Sequence, residues 1–116
     1  MGSAVWNYLR LAGGVAPLKR RDVRNYRFGA VAVRRDGVVV FARNGSADFP
    51  LQVMHAESRV VRKAGRGAVI FVCRIGRDGG FRLARPCDGC LSELRNRRAR
   101  RVYYTINDVE YGCIRL

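Results

Sequence analysis

The alternation of apolar and polar positions predicts one helix and a strand hairpin in the first half of the chain. Apolar residues recur at helical spacing between residues 3 and 12, and Gly13-Gly14 is expected to end this helix. Residues 28–35 alternate well enough to predict a strand, Asp36-Gly37 is a hairpin signal, and residues 38–42 are predicted to form the returning strand. The two strands are therefore expected to pair antiparallel.

The second half contains two more helical patterns, each leading into a strand. Residues 55–64 place their apolar side chains on one helical face, and the nearly continuous apolar run 68–75 is typical of a strand buried on both faces. Pro86 is expected at the first position of a helix that continues to Arg98. With strands predicted at 101–106 and 110–116, the pattern predicts a mixed sheet of about five strands between helices, with the two later helices on one face.

Length and composition favour a single domain spanning residues 1–116, in which 48% hydrophobic residues are enough for one core. No run of about 18 apolar residues occurs, so we expect no membrane span. The N-terminal residues lack the pattern of a secretory signal, which predicts the cytoplasm, or the nucleoid or nucleus if the protein acts on nucleic acid. Cys73 and Cys113 lie in apolar runs and are expected to be buried.

The chain is strongly basic, with 23 Lys and Arg residues against 9 Asp and Glu and a formal net charge of +14. Such an excess predicts affinity for polyanions. An arginine-rich composition without a dedicated partner gives the same count, so both interpretations stay open. The densest cluster is predicted to contact phosphate, with a merely solvated face as its alternative, and consists of Arg95, Arg97, Arg98, Arg100 and Arg101.

Two short motifs carry the candidate chemistry. His55 offers one imidazole, and Cys87 and Cys90 offer two thiols at the spacing that zinc sites use. Three protein ligands leave the fourth tetrahedral position to water, which describes a catalytic rather than a structural zinc site. Glu57 is not needed as a ligand and is expected to move protons for the attacking water.

The spacing of His55 and Glu57 restricts where this site can lie. Successive helical residues are about 100° apart, so positions i and i+2 point in nearly opposite directions within a helix. The two side chains can converge only at the N-terminus of their helix. The second motif begins a helix as well, which predicts a metal centre where two helix N-termini meet.

In His55-Ala56-Glu57 and Pro86-Cys87-Asp88-Gly89-Cys90 the chain resembles the zinc-dependent cytidine and deoxycytidylate deaminase superfamily. The resemblance implies a three-layer α/β/α fold, one Zn²⁺ per chain and hydrolytic deamination of cytosine to uracil. It further implies that the backbone amide of Ala56 binds the base carbonyl and that Asn44 binds the sugar, although Asn44 beside Gly45 also suits a plain turn. By analogy with polynucleotide cytosine deaminases, Tyr103 is expected to stack on the base.

The substrate stays open at this level. Single-stranded DNA or RNA is slightly favoured because the charge excess exceeds what one phosphate needs, and a free nucleotide or nucleoside such as dCMP is the alternative. Transfer RNA adenosine deaminases share both motifs, which keeps adenine under consideration. A zinc-stabilised nucleic-acid-binding module without activity is a further alternative. Deaminases of this size often assemble, so a homo-oligomer is also expected.

Overall fold

The computed structural model describes residues 2–16, 27–44 and 55–116. These residues form three helices and six strands. In chain order they are α1 (Gly2–Val15), β1 (Arg27–Val33), β2 (Val39–Arg43), α2 (Ala56–Ala64), β3 (Val69–Ile75), β4 (Phe81–Arg82), α3 (Asp88–Asn96), β5 (Arg101–Thr105) and β6 (Tyr111–Arg115).

One mixed sheet organises the molecule, with strand order β2-β1-β3-β5-β6 and the short β4 paired to β3. Only β3 and β5 run parallel, and every other pair described is antiparallel. The predicted hairpin between β1 and β2 is present, and Gly37 in its turn has φ of 90°. The sheet has one strand more than expected because residues 81–82 add the brief β4.

The sheet is covered on both faces, which confirms the predicted three-layer α/β/α architecture. Within β1, Ala30 and Ala32 contact the core formed with α2 and α3, whereas Val31 between them belongs to the core beneath α1. Ile70 and Phe71 divide in the same way along β3. Alternate residues of a strand point to opposite faces, so these central strands are apolar throughout.

The direction of the helices determines where their first turns lie. Each of α2 and α3 leads into one of the two parallel strands, α2 into β3 and α3 into β5. Both helices therefore begin at the edge of the sheet where β3 and β5 end, which we call the carboxyl edge. Both end at the opposite, amino edge, where β3 and β5 begin.

Three sequence-based expectations need correction. Helix α1 continues through Gly13-Gly14 to Val15, and Gly13 lies where the helix packs closely against β3. A Cβ on Gly13 would approach Cys73 Sγ and Ile75 Cδ1 to 3.2 Å. Pro86 precedes the N-cap Cys87 and is not the first helical residue.

The third correction concerns a cysteine. Cys73 is buried as expected, and burial raises its pKa to about 12. Cys113 is exposed, because it lies on β6 at the edge of the sheet. Among the described residues, no helix has the length and apolar character needed to cross a membrane.

The contact between α1 and β1 provides a test of the packing. A Cβ on Gly29 would overlap the carbonyl oxygen of Ala12 and lie 3.0 Å from the amide nitrogen of Ala16. Neither backbone atom can move without displacing α1, so we expect Gly29→Ala to lower the free energy of unfolding by about 3 kcal/mol. Urea denaturation monitored by circular dichroism measures the change.

Gly14→Ala is the matched control, because no heavy atom lies within 4 Å of a Cβ built at this helical position. We expect it to stabilise the protein by about 0.5–1 kcal/mol, since alanine loses less conformational entropy in a helix than glycine. Equal effects of the two substitutions would contradict the close approach of α1 to β1.

Candidate metal centre and active site

The first turns of α2 and α3 meet at the carboxyl edge of the sheet. His55 is the N-cap of α2, and Cys87 is the N-cap of α3. Both have extended backbone conformations, and neither side chain forms a capping hydrogen bond to its own helix. Cys90 is the third residue of α3 and is buried. The arrangement turns one imidazole and two thiols toward the same point, end-on to both helices.

The donor atoms are close enough to share one ion. His55 Nδ1 lies 3.1 Å from Cys90 Sγ and 3.9 Å from Cys87 Sγ. Tetrahedral zinc with ordinary bond lengths would separate its sulfur and nitrogen ligands by about 3.6 Å, which these two distances bracket. Their ligand atoms all lie within 4.8 Å of one another, and no other such group of three occurs in the described part of the chain. The site fits one Zn²⁺.

The protonation of the three ligands reflects their surroundings. A hydrogen bond with Glu57 raises the pKa of His55. Burial, followed by the charge of Glu57, raises the pKa of Cys90 far above that of a free thiol. Burial also acts to raise the pKa of Cys87, but hydrogen bonds from the backbone amide and side chain of Cys90 outweigh it and leave the pKa lowered. A metal ion entering the site must therefore displace protons.

Glu57 lies in the first turn of α2 and is 3% exposed. Its Oε1 is 3.5 Å from His55 Nδ1. Its Oε2 is the one buried side-chain nitrogen or oxygen in the described residues without a hydrogen-bond partner. Leaving a buried polar oxygen unsatisfied costs about 1–3 kcal/mol. Such an atom beside a ligand cluster is well suited to exchange a proton with a bound reactant.

Ser58 was not anticipated from the sequence, yet its hydroxyl donates to Cys90 Sγ at 3.7 Å. The Glu93 carboxylate on α3 is a second acceptor within reach of this hydroxyl, which can donate to only one of the two at a time. Burial acts to raise the pKa of Glu93, but Ser58 and Arg62 outweigh it and lower the pKa. Arg62 lies 3.2 Å from the Glu93 carboxylate. Helical spacing could have identified Ser58 from the sequence, because it follows His55 by three positions and faces the same helix surface.

Asn44 and Ala56 lie at the carboxyl edge, the edge of the sheet that carries the ligands. Asn44 directly follows β2 and is 4% exposed, and its Oδ1 accepts a hydrogen bond from the Phe28 amide at 3.0 Å. Arg59 Nη1 donates to the Arg43 carbonyl at 3.2 Å, which joins the end of β2 to the first turns of α2. Ala56 is the first residue of α2 and is fully buried. Their substrate contacts remain predictions.

Tyr103 is not at the site, and its predicted stacking role is wrong. Its ring stacks on Phe71 with centroids 5.2 Å apart and meets Tyr111 edge-on at 6.0 Å. These rings belong to the core beneath α1, on the face of the sheet opposite α2 and α3. Strand alternation turns the adjacent Tyr104 toward the α2 and α3 face instead.

The predicted arginine cluster also lies away from the ligands. It occupies the end of α3 and the start of β5, at the amino edge of the sheet. Helix α3 has nine residues, which separates its two ends by about 13 Å. Arg97 pairs with Glu93 at 3.5 Å, and Arg101 Nη1 donates to the Tyr103 hydroxyl at 3.3 Å. Arg95, Arg98 and Arg100 are exposed.

The model of the family described as "Cytidine and deoxycytidylate deaminase zinc-binding region" matches residues 5–106. The chain belongs to this family. It is thus a zinc-dependent hydrolase of the cytosine-deaminating type. The family model spans α1 to the end of β5 and so includes the whole ligand cluster. A comparison with curated protein sequences finds no match.

Two solved cytidine deaminases share the fold. The enzyme from Burkholderia pseudomallei aligns with a TM-score of 0.70 and 20% identity, over 99% of this chain and 92% of its own. A mutant of the enzyme from Mycobacterium tuberculosis aligns with a TM-score of 0.58 and 19% identity, over 90% of this chain and 84% of its own. The three-layer deaminase fold is therefore present in this chain.

The protonation of the metal ligands in the metal-free protein predicts how zinc affinity depends on pH. The raised pKa of Cys90 keeps its thiol protonated in the metal-free protein, and thiolate is the form that binds zinc. We expect the affinity to rise with pH between 6 and 8, by about tenfold per unit if one proton is displaced and about a hundredfold if two are. Competition with a chromophoric chelator measures it.

Cys113→Ser is the control for this measurement, since it removes an exposed thiol that lies outside the cluster. It should leave both the affinity and its pH dependence unchanged. An affinity that does not vary with pH would contradict ligation by Cys90.

The hydrogen bond from Ser58 predicts a second effect on zinc. Ser58→Ala removes the donor to Cys90 Sγ, and loss of such an outer contact typically weakens metal binding by about 10–100-fold. We expect a loss of about tenfold in zinc affinity, with the far-ultraviolet circular dichroism spectrum unchanged. Ser92→Ala, at an exposed position of α3, is the matched control. Equal affinities of the two variants would exclude a role for Ser58.

Proposed function

We propose that this single domain deaminates the cytosine base of a free nucleoside or nucleotide. Glu57 is the proton carrier, and His55, Cys87 and Cys90 hold one zinc ion. The observation that carries the proposal is the buried Oε2 of Glu57, which has no partner and lies beside three convergent ligands. A carboxylate in this position is costly for stability and useful for proton transfer.

When held by the thiolates of Cys87 and Cys90 and the neutral imidazole of His55, zinc would act as a Lewis acid and make hydroxide available near neutral pH. The helix N-termini that present His55 and Cys87 add partial positive charge, which favours thiolate and developing negative charge alike. The buried positions of Cys90 and Glu57 reduce competition from bulk water for the same interactions.

Each residue of the site has a separate role in the proposed reaction. Glu57 accepts a proton from the attacking water and passes it to the ring nitrogen beside the amino-bearing carbon. It next helps to protonate the departing amino group, so that cytosine and water give uracil and ammonia. The backbone amide of Ala56 donates to the base carbonyl, and Asn44 contacts the sugar. His55, Cys87 and Cys90 act only as ligands.

A small substrate is favoured by what surrounds the site. Tyr103, the candidate for stacking on a polynucleotide base, packs beneath α1. The arginine cluster that would track a phosphate backbone is at the other end of α3. The two solved structures with the same fold are both named as cytidine deaminases.

Single-stranded nucleic acid is the second candidate, and a specific observation favours it. Three arginines at the carboxyl edge are exposed near the ligands. Arg43 ends β2, Arg59 follows His55 by four residues, and Arg85 precedes Cys87 by two. Together they supply more positive charge than one phosphate group requires.

Glu57→Gln tests the chemistry. Glutamine keeps the shape of the side chain but cannot carry the proton, so we expect deamination to fall by at least about a thousandfold with zinc content and fold retained. The assay incubates each protein with cytidine, dCMP, adenosine and a cytosine-containing oligonucleotide and detects the amino-to-oxygen exchange by mass spectrometry. Undiminished activity in the variant would exclude Glu57 as the proton carrier.

The same assay separates the two substrate classes. For a free nucleoside or nucleotide, we expect turnover that changes little when the salt concentration is raised. Activity confined to the oligonucleotide and lost steeply with salt would replace the first candidate by the second. Cys87→Ser is the control for the metal, because it should lose zinc as well as activity.

A further inference from the structure

The amino edge of the sheet carries a basic surface that the proposed reaction does not use. Arg34 and Arg35 follow β1, whose last residue Val33 pairs with Val69 at the start of β3. Arg66 follows α2. The remaining members come from the connection between α3 and β5. We call these five residues the distal arginine surface: Arg34, Arg35, Arg66, Arg98 and Arg100.

The surface contains two adjoining grooves. The larger has a volume of about 440 Å³, and its charged lining residues are Arg34, Arg35 and Arg100. The smaller has a volume of about 310 Å³ and shares Arg34 and Arg35 with the first, adding Arg66 and Asp36. The larger groove thus has three positive charges in its lining and no acidic residue.

The backbone holds this basic edge together. The Gly67 amide donates to the Arg98 carbonyl at 2.8 Å, and the Arg100 amide donates to the Ala68 carbonyl at 2.8 Å. Gly67 has φ of 83°, and a Cβ there would lie 3.4 Å from Arg35 Cδ, so the Arg35 side chain runs close over this turn. These hydrogen bonds hold the backbone of Arg98 and Arg100 against the turn that the Arg35 side chain crosses, so fixed segments of chain carry these three arginines.

Little negative charge offsets them. Among the described residues of this surface, the one ion pair joins Arg34 to Asp36 at 3.1 Å. Elsewhere in the described residues some arginines do pair with acids, as where Glu93 lies between Arg62 and Arg97. Like charges held close together destabilise the fold, and a bound anion relieves that repulsion.

We propose that the distal arginine surface binds the phosphate backbone of a nucleic acid. Strands lie about 4.8 Å apart, so the span from β1 across β3 to β5 is about 10 Å. Each strand of a duplex carries one phosphate per about 3.4 Å of helix axis, and neighbouring phosphates are farther apart than this because the strand winds around the axis. The surface therefore fits about two successive phosphates, which favours a polymer over a single small anion.

The lining also indicates how the polymer is bound. Besides arginine, the larger groove is lined by Val33, Val69 and Gly67, and it has no aromatic side chain on which a base could stack. Binding is thus to the backbone and independent of base sequence. Helix α2 has nine residues and separates this surface from His55 by about 13 Å, so bound polymer leaves the metal centre accessible. The inference does not depend on the proposed deamination.

The test uses the full chain and a fluorescent oligothymidylate, which contains no amino group to hydrolyse. Arg35→Gln/Arg66→Gln removes two charges from the surface. We expect it to weaken binding by about tenfold or more at moderate salt and to reduce the slope of log affinity against log salt by about 1.4. Fluorescence anisotropy titrations at several salt concentrations measure both quantities. Deamination of cytidine should be unchanged.

Arg10→Gln/Arg77→Gln is the matched control, because it removes two exposed charges located elsewhere, on α1 and in the turn after β3. We expect it to retain most of the affinity. An equal loss in both double variants would overturn the proposal in favour of general attraction to a basic protein. Arg35→Lys/Arg66→Lys preserves charge and should retain binding, and urea denaturation checks that all variants fold alike.

Inorganic phosphate distinguishes a polymer site from a small-anion site. At equal phosphate concentration it should displace the oligonucleotide poorly, because one phosphate group cannot span the surface. Equally effective displacement would overturn the assignment to a polymer. Undiminished oligonucleotide binding by Arg35→Gln/Arg66→Gln would overturn the location.

Discussion

The site depends on one packing arrangement, in which α2 and α3 pack against the same face of the sheet and begin at the same edge. Val60 and Val61 of α2 and Leu94 of α3 are almost fully buried against that face. Each such side chain stabilises the fold by about 1.5–3 kcal/mol through burial. This apolar contact fixes the two helix N-termini side by side, so His55 and Cys87 meet at a distance suited to one ion.

The exposed fraction differs sharply between the side chain of the metal ligand His55 and that of the proposed proton carrier Glu57. The His55 side chain is 45% exposed, whereas that of Glu57 is 4% exposed. The N-cap position leaves His55 outside the helix proper, while Glu57, two residues on, turns inward against the sheet. The imidazole is thus reachable from solvent, and the carboxylate sits in the low-dielectric interior, where electrostatic interactions with a bound base would be strongest.

Much of this was predictable from sequence, and the failures have physical reasons. Hydrophobic periodicity predicted the order of elements and the two-sided burial of β3, because helical spacing and a continuous apolar run are local properties. It predicted β1 as an alternating strand, whereas β1 is buried on both faces. The spacing of His55 and Glu57 predicted an end-on site, because helix geometry leaves no other. Gly13 was misjudged, since the proximity of Cys73 and Ile75 depends on the tertiary contact between α1 and β3. Tyr103 and Tyr104 could not be told apart, because alternation fixes that they diverge but not which one faces α1.

The arginines also show what a sequence alone does not predict. Composition reveals how much charge there is, but only the fold reveals which edge carries it. Arg98 has φ of 64°, an uncommon conformation for a residue with a side chain, and it turns the chain from the end of α3 toward β5. That turn brings Arg98 and Arg100 beside Gly67 and Ala68, two positions more than thirty residues earlier. Both helices end at the amino edge, whereas the metal centre lies at the carboxyl edge. The arginines at the amino edge can therefore bind a second ligand without competing with the substrate at the metal centre.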